Sequence, residues 1–375
     1  MNIAVNTRLL IRDRLEGIGW FTYETLKRIT TQHPEHHFYF IFDREYDPAF
    51  IFSDNITPVI QYPQARHPVL YYTWFEYVIP KLLDRLKPDL FLSTDGFLSL
   101  KSQVPSMVVF HDLNFEHYPE DIPFWTRRYY RKYSPKYAEK ANRIATVSEF
   151  SKQDIIRQYH VSADKIDVVY DGAGDIYHPL TPDEKSAVRE AYTDGLPYFI
   201  FIGSLHPRKN LVNLFRAFDL FKKSNPSEVK LMIVGARKWW TRDIDFAYNR
   251  MVFSDDVIFT GRLQVDELSK VLGSALALTY VSYFEGFGIP IVEAFRCDVP
   301  VITSTVTSMP EVAGDAALLV DPFSPESIAE ALYKAYQYES IREELIQRGR
   351  RRKERFSWQQ TADRLWESIE HAVKS

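Results

Sequence analysis

The chain has 375 residues, 45% of them apolar and 15% aromatic, too hydrophobic for a disordered segment and long enough for about two domains of ordinary size. Its 46 Lys and Arg nearly balance 50 Asp and Glu, leaving a net charge of −4, which argues against a dedicated nucleic-acid binder. A single cysteine, Cys297, excludes an intramolecular disulfide and a four-thiolate metal site.

The opening MNIAVNTRLLIRDRLEG carries charges at Arg8, Arg12, Asp13 and Arg14, and lacks the unbroken apolar stretch of a signal peptide. No run approaches the ~18–20 apolar residues that span a bilayer, so the expected location is cytoplasmic. Strands are predicted at Ile3–Asn6, His37–Phe42, Pro58–Ile60, Asp89–Ser93, Ser106–Phe110, Arg143–Val147 and Ile166–Val169. A second series follows at Tyr198–Ile202, Lys230–Val234, Val257–Thr260, Leu276–Tyr280, Val299–Thr303 and Ala317–Val320. Several are dense in Val, Ile and Phe without polar alternation, as expected of strands covered on both faces. Amphipathic helical segments lie between them, among them Gly19–Thr31, Trp74–Leu86, Ser148–Tyr159, Asn210–Lys223, Val265–Leu272 and Pro325–Tyr338. This alternation predicts βαβ units and parallel sheets.

The alternation breaks once, between Tyr170 and Pro197, in a stretch rich in Gly, Pro and Asp. The fold expected is α/β, with two Rossmann-like domains whose parallel sheets face an interdomain cleft. Residues 1–172 form the first domain, 173–196 a linker with a short helix, and 197–356 the second domain. Ligands of such sheets bind beyond the carboxyl ends of the strands.

Two segments carry the chemistry. In Glu285-Gly-Phe-Gly-Ile-Pro-Ile-Val-Glu293 a strand ends and a helix opens. Pro290 suits a first helical turn. Gly286 and Gly288 admit close backbone approach by a ligand, and the helix-start N–H groups favour an anion. The plainer reading is a strand-turn-helix joint with surface acids. In Phe199-Ile-Phe-Ile-Gly-Ser-Leu-His-Pro-Arg-Lys-Asn210, Arg208 and Lys209 stand just before a helix, a phosphate clamp or merely an exposed basic loop.

Together these motifs resemble the retaining family-4 glycosyltransferases with the GT-B fold. The resemblance rests on Gly203-Ser204 with Arg208-Lys209-Asn210, on Glu285 and Glu293, and on Pro300-Val301-Ile302 with Pro310-Glu311-Val312. It extends to Gly17-Ile-Gly19, His111-Asp112, Ala145-Thr-Val-Ser148-Glu-Phe-Ser151 and Phe356-Ser-Trp358. It implies a C-terminal helix, 357–375, crossing back to the first domain. It implies that Arg208 and Lys209 hold a donor diphosphate, with Ser204 beside them. Glu293 would bind the ribose and Glu285 a sugar hydroxyl. Gly286, Phe287, Gly288 and Ile289 would offer N–H groups. Arg262 and Leu263 would lie near the base, Gly17 and Gly19 in a loop closing on the diphosphate, and His111 near the anomeric carbon.

The activity implied is transfer of a hexose-type sugar, mannosyl first, from a GDP- or UDP-sugar to a hydroxyl of a glycan or lipid-linked glycan. Configuration would be retained, with no metal and no cofactor beyond the donor. A nucleotide-sugar epimerase or hydrolase of the same fold and a catalytically silent glycan-binding subunit are the alternatives. Three features stand apart. Asp243-Ile-Asp245 matches a metal-binding triplet but suits an ordinary helix start. Segment 124–143 interleaves seven cations with six aromatics, which suits first a solvated helix whose aromatic stripe packs on its own domain, next an anionic membrane surface or lipid-linked acceptor, and least nucleic acid. Cys297-Asp298 stands where a small residue then Gly is usual, and Tyr283 and Phe284 are bulkier than the pattern.

Overall fold

The computed structural model describes residues 1–374 and divides into two compact units. All thirteen predicted strands form, with ends shifted by two residues or fewer. Unit 1 comprises residues 1–172 and the helix Trp358–Lys374. Its strands are β1 (Asn2–Asn6), β2 (His37–Phe42), β3 (Ile56–Ile60), β4 (Leu90–Ser93), β5 (Ser106–Phe110), β6 (Arg143–Thr146) and β7 (Ile166–Val168). They form one parallel sheet in the order β3-β2-β1-β4-β5-β6-β7. The strands β4 and β5 are buried at every position, which explains their lack of polar alternation.

Unit 2 contains β8 (Tyr198–Ile202), β9 (Lys230–Val234), β10 (Val257–Gly261), β11 (Ala277–Tyr280), β12 (Val301–Ser304) and β13 (Ala317–Val320). Their order is β10-β9-β8-β11-β12-β13, again parallel throughout. Strand order reverses between β1 and β4 in unit 1 and between β8 and β11 in unit 2. Such switch points leave a crevice at the strands' carboxyl ends, because the connections diverge to opposite faces.

Three departures from the sequence expectation have physical causes. The helix expected over Trp74–Leu86 begins earlier, as Pro68–Thr73, passes through a π turn at Trp74–Val78, and resumes as Ile79–Leu86. Pro80 has no N–H to give the carbonyl four residues back, and the wider turn absorbs the mismatch. Gly17 and Gly19 open the helix Gly17–Gln32 instead of lying in a loop before it. Residues 173–196 cluster with unit 2 and carry the helix Pro182–Thr193. That helix is started by Thr181 and Glu184, each accepting the other's backbone N–H.

The Trp358–Lys374 helix buries Trp358, Thr361, Leu365, Ile369 and Ala372 along one stripe in unit 1. Trp366 stacks on His33 with ring centroids 3.8 Å apart. The aromatic cluster at Tyr71–Tyr77 is mainly packing: Trp74 and Phe75 are fully buried, and Tyr71 rests on Phe97 and Tyr129.

Candidate active site

The loops after β8 and β11 flank the unit 2 switch point, and they hold most of the residues singled out above. Strand β8 ends at Ile202, and the chain turns through Pro207–Lys209, a single 3-10 turn. His206 starts that turn, its Nδ1 accepting from the Arg208 N–H at 3.3 Å. Asn210, at φ 63°, ends it and opens the helix Leu211–Ser224. The Asn210 amide donates to the carbonyls of Val281 at 3.0 Å and Pro322 at 2.6 Å. One side chain thus ties together the loops after β8, β11 and β13.

Arg208 and Lys209 are not an exposed basic loop. Arg208 donates through Nη1 to the Glu285 carboxylate and to the Phe284 carbonyl at 2.9 Å. Lys209, 7% exposed, donates to the other Glu285 oxygen and, at 2.5 Å, to the Tyr280 hydroxyl. Glu285 is itself 5% exposed. Burial alone would raise its carboxyl, but the two cations outweigh that and hold it down at about 2. Among these three side chains, two of them buried, there is one more positive than negative charge, an arrangement suited to a further anion.

Beyond Glu285 the chain reaches the helix Ile289–Arg296 through Gly288, whose φ of 106° is left-handed. A Cβ there would come within 2.8 Å of Met309 Cε, so Gly288 is dictated by backbone and by space. Ser308 donates to the carbonyls of Glu285 and Phe287, both at 3.0 Å, and fixes the approach to the helix. Pro290 occupies the first turn, where its missing N–H costs nothing. Glu293 lies one turn further along that helix, and burial pushes its carboxyl up to about 7 against a smaller opposite pull from the Tyr177 hydroxyl.

The remaining residues of unit 2 sit at neighbouring strand ends. Ser204 is exposed in the loop after β8, and Arg262 is exposed and Leu263 half-buried in the loop after β10. Adjacent loops are joined by backbone bonds, Gly203 N–H to Val234 C=O at 3.0 Å and Gly235 N–H to Gly261 C=O at 2.9 Å.

In unit 1, His111 follows β5. Its Nε2–H donates to the Thr94 carbonyl at 2.9 Å, and the ring meets Phe21 edge to face at 4.9 Å. Burial lowers its pKa, so the imidazole is neutral. Gly17 and Gly19 occupy the first turn of their helix, ahead of its first backbone bond from Trp20 to Glu16. At the unit 1 switch point Arg8 is buried, donating to Asp95 and, at 2.7 Å, to the Ala65 carbonyl, under the Phe97 ring at 4.6 Å.

Four features of these sites escaped the sequence reading: Tyr280, Asn210's double tie, Ser308, and the Arg8–Asp95 pair. Each stands within two residues or a short loop of a predicted strand's carboxyl end, which is the signal that would have raised them. Tyr283 stacks on Phe323 at 6.2 Å and Phe284 is buried. Asp298 takes a left-handed turn and is gripped through both oxygens by Arg350. Asp245 accepts from Trp240 at 3.1 Å and Asn249 at 3.0 Å inside the helix Arg242–Asn249. Its oxygens thus serve that helix.

The family model for Glycosyl transferases group 1 matches residues 183–352, and that for Glycosyltransferase Family 4 matches residues 15–173. The chain is 32% identical over 255 residues to O-antigen chain mannosyltransferase B of Escherichia coli, covering 68% of this chain and 67% of the relative. It is 25% identical over 282 residues to the serotype-specific mannosyltransferase WbdA of Escherichia coli, but spans only 34% of that protein. Among solved structures, Anabaena Alr3699/HepE, determined with UDP and glucose, superposes with a TM-score of 0.77 at 15% identity over 99% of each chain. The chain belongs to the family 4 glycosyltransferases, an enzyme of the GT-B fold.

Proposed function

We propose that this glycosyltransferase moves a hexosyl group, mannosyl first, from a nucleoside-diphosphate sugar to a hydroxyl of a glycan or lipid-linked glycan, with retention and without a metal. The observation that carries the reading is the Arg208–Glu285–Lys209 cluster, with Lys209 and Glu285 buried, beside the start of the Ile289–Arg296 helix. Its excess positive charge and the helix-start amides suit a pyrophosphate, whose charge grows as the glycosidic bond breaks. Fixed donors do that work without reorganising. The mannosyltransferase names of the E. coli relatives favour mannose, and the UDP held by HepE favours a nucleotide donor.

In this reading Arg208 and Lys209 face the diphosphate, Ser204 a phosphate oxygen, and Gly286 to Ile289 the sugar and phosphate by their backbone. Glu293 accepts from the ribose hydroxyls, Arg262 and Leu263 border the base, and Glu285 accepts from a sugar hydroxyl. His111, neutral and committed at Nε2, is a hydrogen-bonding group and not the base. Gly17 and Gly19 offer helix-start N–H groups to the same chemistry. The acceptor oxygen forms its bond to the anomeric carbon on the face that the diphosphate leaves. Its proton passes to the departing phosphate oxygen, so no protein nucleophile is needed.

Incubation with GDP-mannose or UDP-glucose and a mannose-terminated oligosaccharide tests this. We expect EDTA-insensitive product from one donor, with the donor's anomeric configuration by NMR, and much reduced turnover in Glu285→Gln. Wild-type turnover in that variant contradicts the role of Glu285.

Acceptor delivery from a membrane surface belongs to the same proposal. No helix among the described residues is long and apolar enough to cross a membrane. The Phe124–Lys140 helix, however, exposes Phe124 (55%) and Trp125 (64%) next to the exposed cations Arg128, Arg131, Lys132 and Lys136, while Tyr129 and Tyr137 pack inward. Aromatic tips and cations on one face suit an anionic bilayer. Flotation with phosphatidylglycerol vesicles that weakens in Trp125→Ala and in high salt supports this; no flotation contradicts it.

A further inference from the structure

Trp239 and Trp240 are adjacent in sequence but are held very differently. Trp240 is packed into the unit 2 core against Phe215, Tyr248 and Phe259, and its indole N–H is bonded to Asp245. Trp239 is half-buried and lies outside that core cluster. Its ring meets His206 at 5.2 Å, and the exposed Lys238 ammonium stands 5.7 Å over it. A large aromatic ring left at a ligand edge without core partners is unusual, because burying it would be worth about 1.5–3 kcal/mol.

Its position is well defined. Trp239 closes the 3-10 turn Arg237–Trp239, which follows β9 at the carboxyl edge of the sheet. It touches His206, the residue that starts the turn bearing Arg208 and Lys209. Gly235, between β9 and this turn, lies against the loop after β8 so closely that a Cβ would overlap the Gly203 carbonyl at 1.9 Å. The same Gly235 is bonded to Gly261, one residue before Arg262. The loop that bears Trp239 therefore stands between the cation turn and the Arg262 loop, with the ring against His206 on the side of the cation turn.

Resting on the donor reading above, we propose that Trp239 is the platform on which the nucleobase of the donor stacks, and that its ring area biases the enzyme toward a purine. Bases of either class have a π face, so stacking on an indole supplies affinity, and the larger purine overlaps more of it. Lys238, exposed and resting on the ring at 5.7 Å, moves aside at small cost.

The test uses titration calorimetry on the full chain with three probes: inorganic pyrophosphate, GDP and UDP. Pyrophosphate reports the cations alone, and the diphosphates add ribose and base. Trp239→Ala should bind pyrophosphate like the wild type but lose about tenfold or more of its GDP affinity, with a smaller loss for UDP. Trp239→Phe keeps a ring and should recover most of the GDP affinity. Unchanged GDP and UDP affinity in Trp239→Ala overturns the proposal, as does an equal loss of pyrophosphate, which would mean that the ring acts by propping His206. Wild-type protein that binds no pyrophosphate and neither nucleotide overturns the donor reading beneath it.

Discussion

Glu285 carries two jobs that pull in opposite directions. As the shared counter-charge of Arg208 and Lys209 it stabilises the fold, and in the proposed function it must also accept a sugar hydroxyl. Replacing it by Gln leaves Lys209 buried without a full negative partner, a change that costs about 3 kcal/mol or more. Glu285→Gln should therefore melt at a lower temperature as well as turn over slowly. The double replacement Lys209→Met with Glu285→Leu should recover part of the stability but not transfer, because it removes the buried Lys209 charge with its partner and leaves only the partly exposed Arg208 without its carboxylate. A single variant as stable as the wild type would show that the cluster contributes nothing to folding. The carboxyl sits at about 2 in the folded chain, below its ordinary value near 4.5. A depressed carboxylate contributes stability that is complete above the unfolded value and lost as pH falls toward the folded one. Between about pH 5 and 2 the wild type should thus lose roughly 3 kcal/mol from this group, and Glu285→Gln should show a shallower acid transition in urea denaturation. Glu293 has the opposite sign. Its carboxyl, raised to about 7, makes the fold lose stability as pH climbs to that value, and in the proposed function ribose hydroxyls, which donate best to the charged carboxylate, bind better above it. GDP-mannose affinity should accordingly rise between pH 6 and 8 by about tenfold in the wild type and stay flat in Glu293→Gln.

At the scale of elements, the site is a set of strand-end loops braced against each other. Asn210, Ser308 and Gly235 are the braces, and none of them needs to touch a ligand. Gly288→Ala tests that bracing. The left-handed φ costs a side chain about 1–2 kcal/mol, and the close approach to Met309 adds to it. The variant should lose several degrees of melting temperature and most of its transfer, whereas Gly17→Ala, with open space around its Cβ, should keep its melting temperature. The strands were legible in the sequence because buried parallel strands write themselves as runs of Val, Ile and Phe, as in Tyr198–Ile202. Arg208, Lys209, Glu285 and Glu293 were legible as residues, since each stands next to such a run. The bonds among them were not. That both cations would grip Glu285 depends on β8 and β11 being neighbours, and strand order is a property of the sheet that local pattern does not carry. The π turn at Trp74–Val78 was hidden for a related reason: Pro80 signals a break, but packing of Trp74 and Phe75 decides that the helix continues.

For the molecule as a whole, the chain's last helix joins its first unit. Trp358, Leu365 and Ile369 alone bury apolar surface worth on the order of 6 kcal/mol, comparable with the entire stability of a domain. A chain ending at Ser357 should therefore fail to fold unit 1, seen as rapid proteolysis of residues 1–172 with unit 2 protected; equal resistance of both units would contradict this. The central claim is narrower: that the cation turn after β8 and the helix start after β11 together hold a pyrophosphate. Calorimetric titration of wild type and Arg208→Ala with GDP-mannose and UDP-glucose addresses it directly, since the Arg208 side chain is 21% exposed and its removal leaves the Lys209–Glu285 pair in place. One donor should bind the wild type, and Arg208→Ala should bind it at least tenfold more weakly while melting as a folded protein; equal affinity in the two proteins would contradict the account.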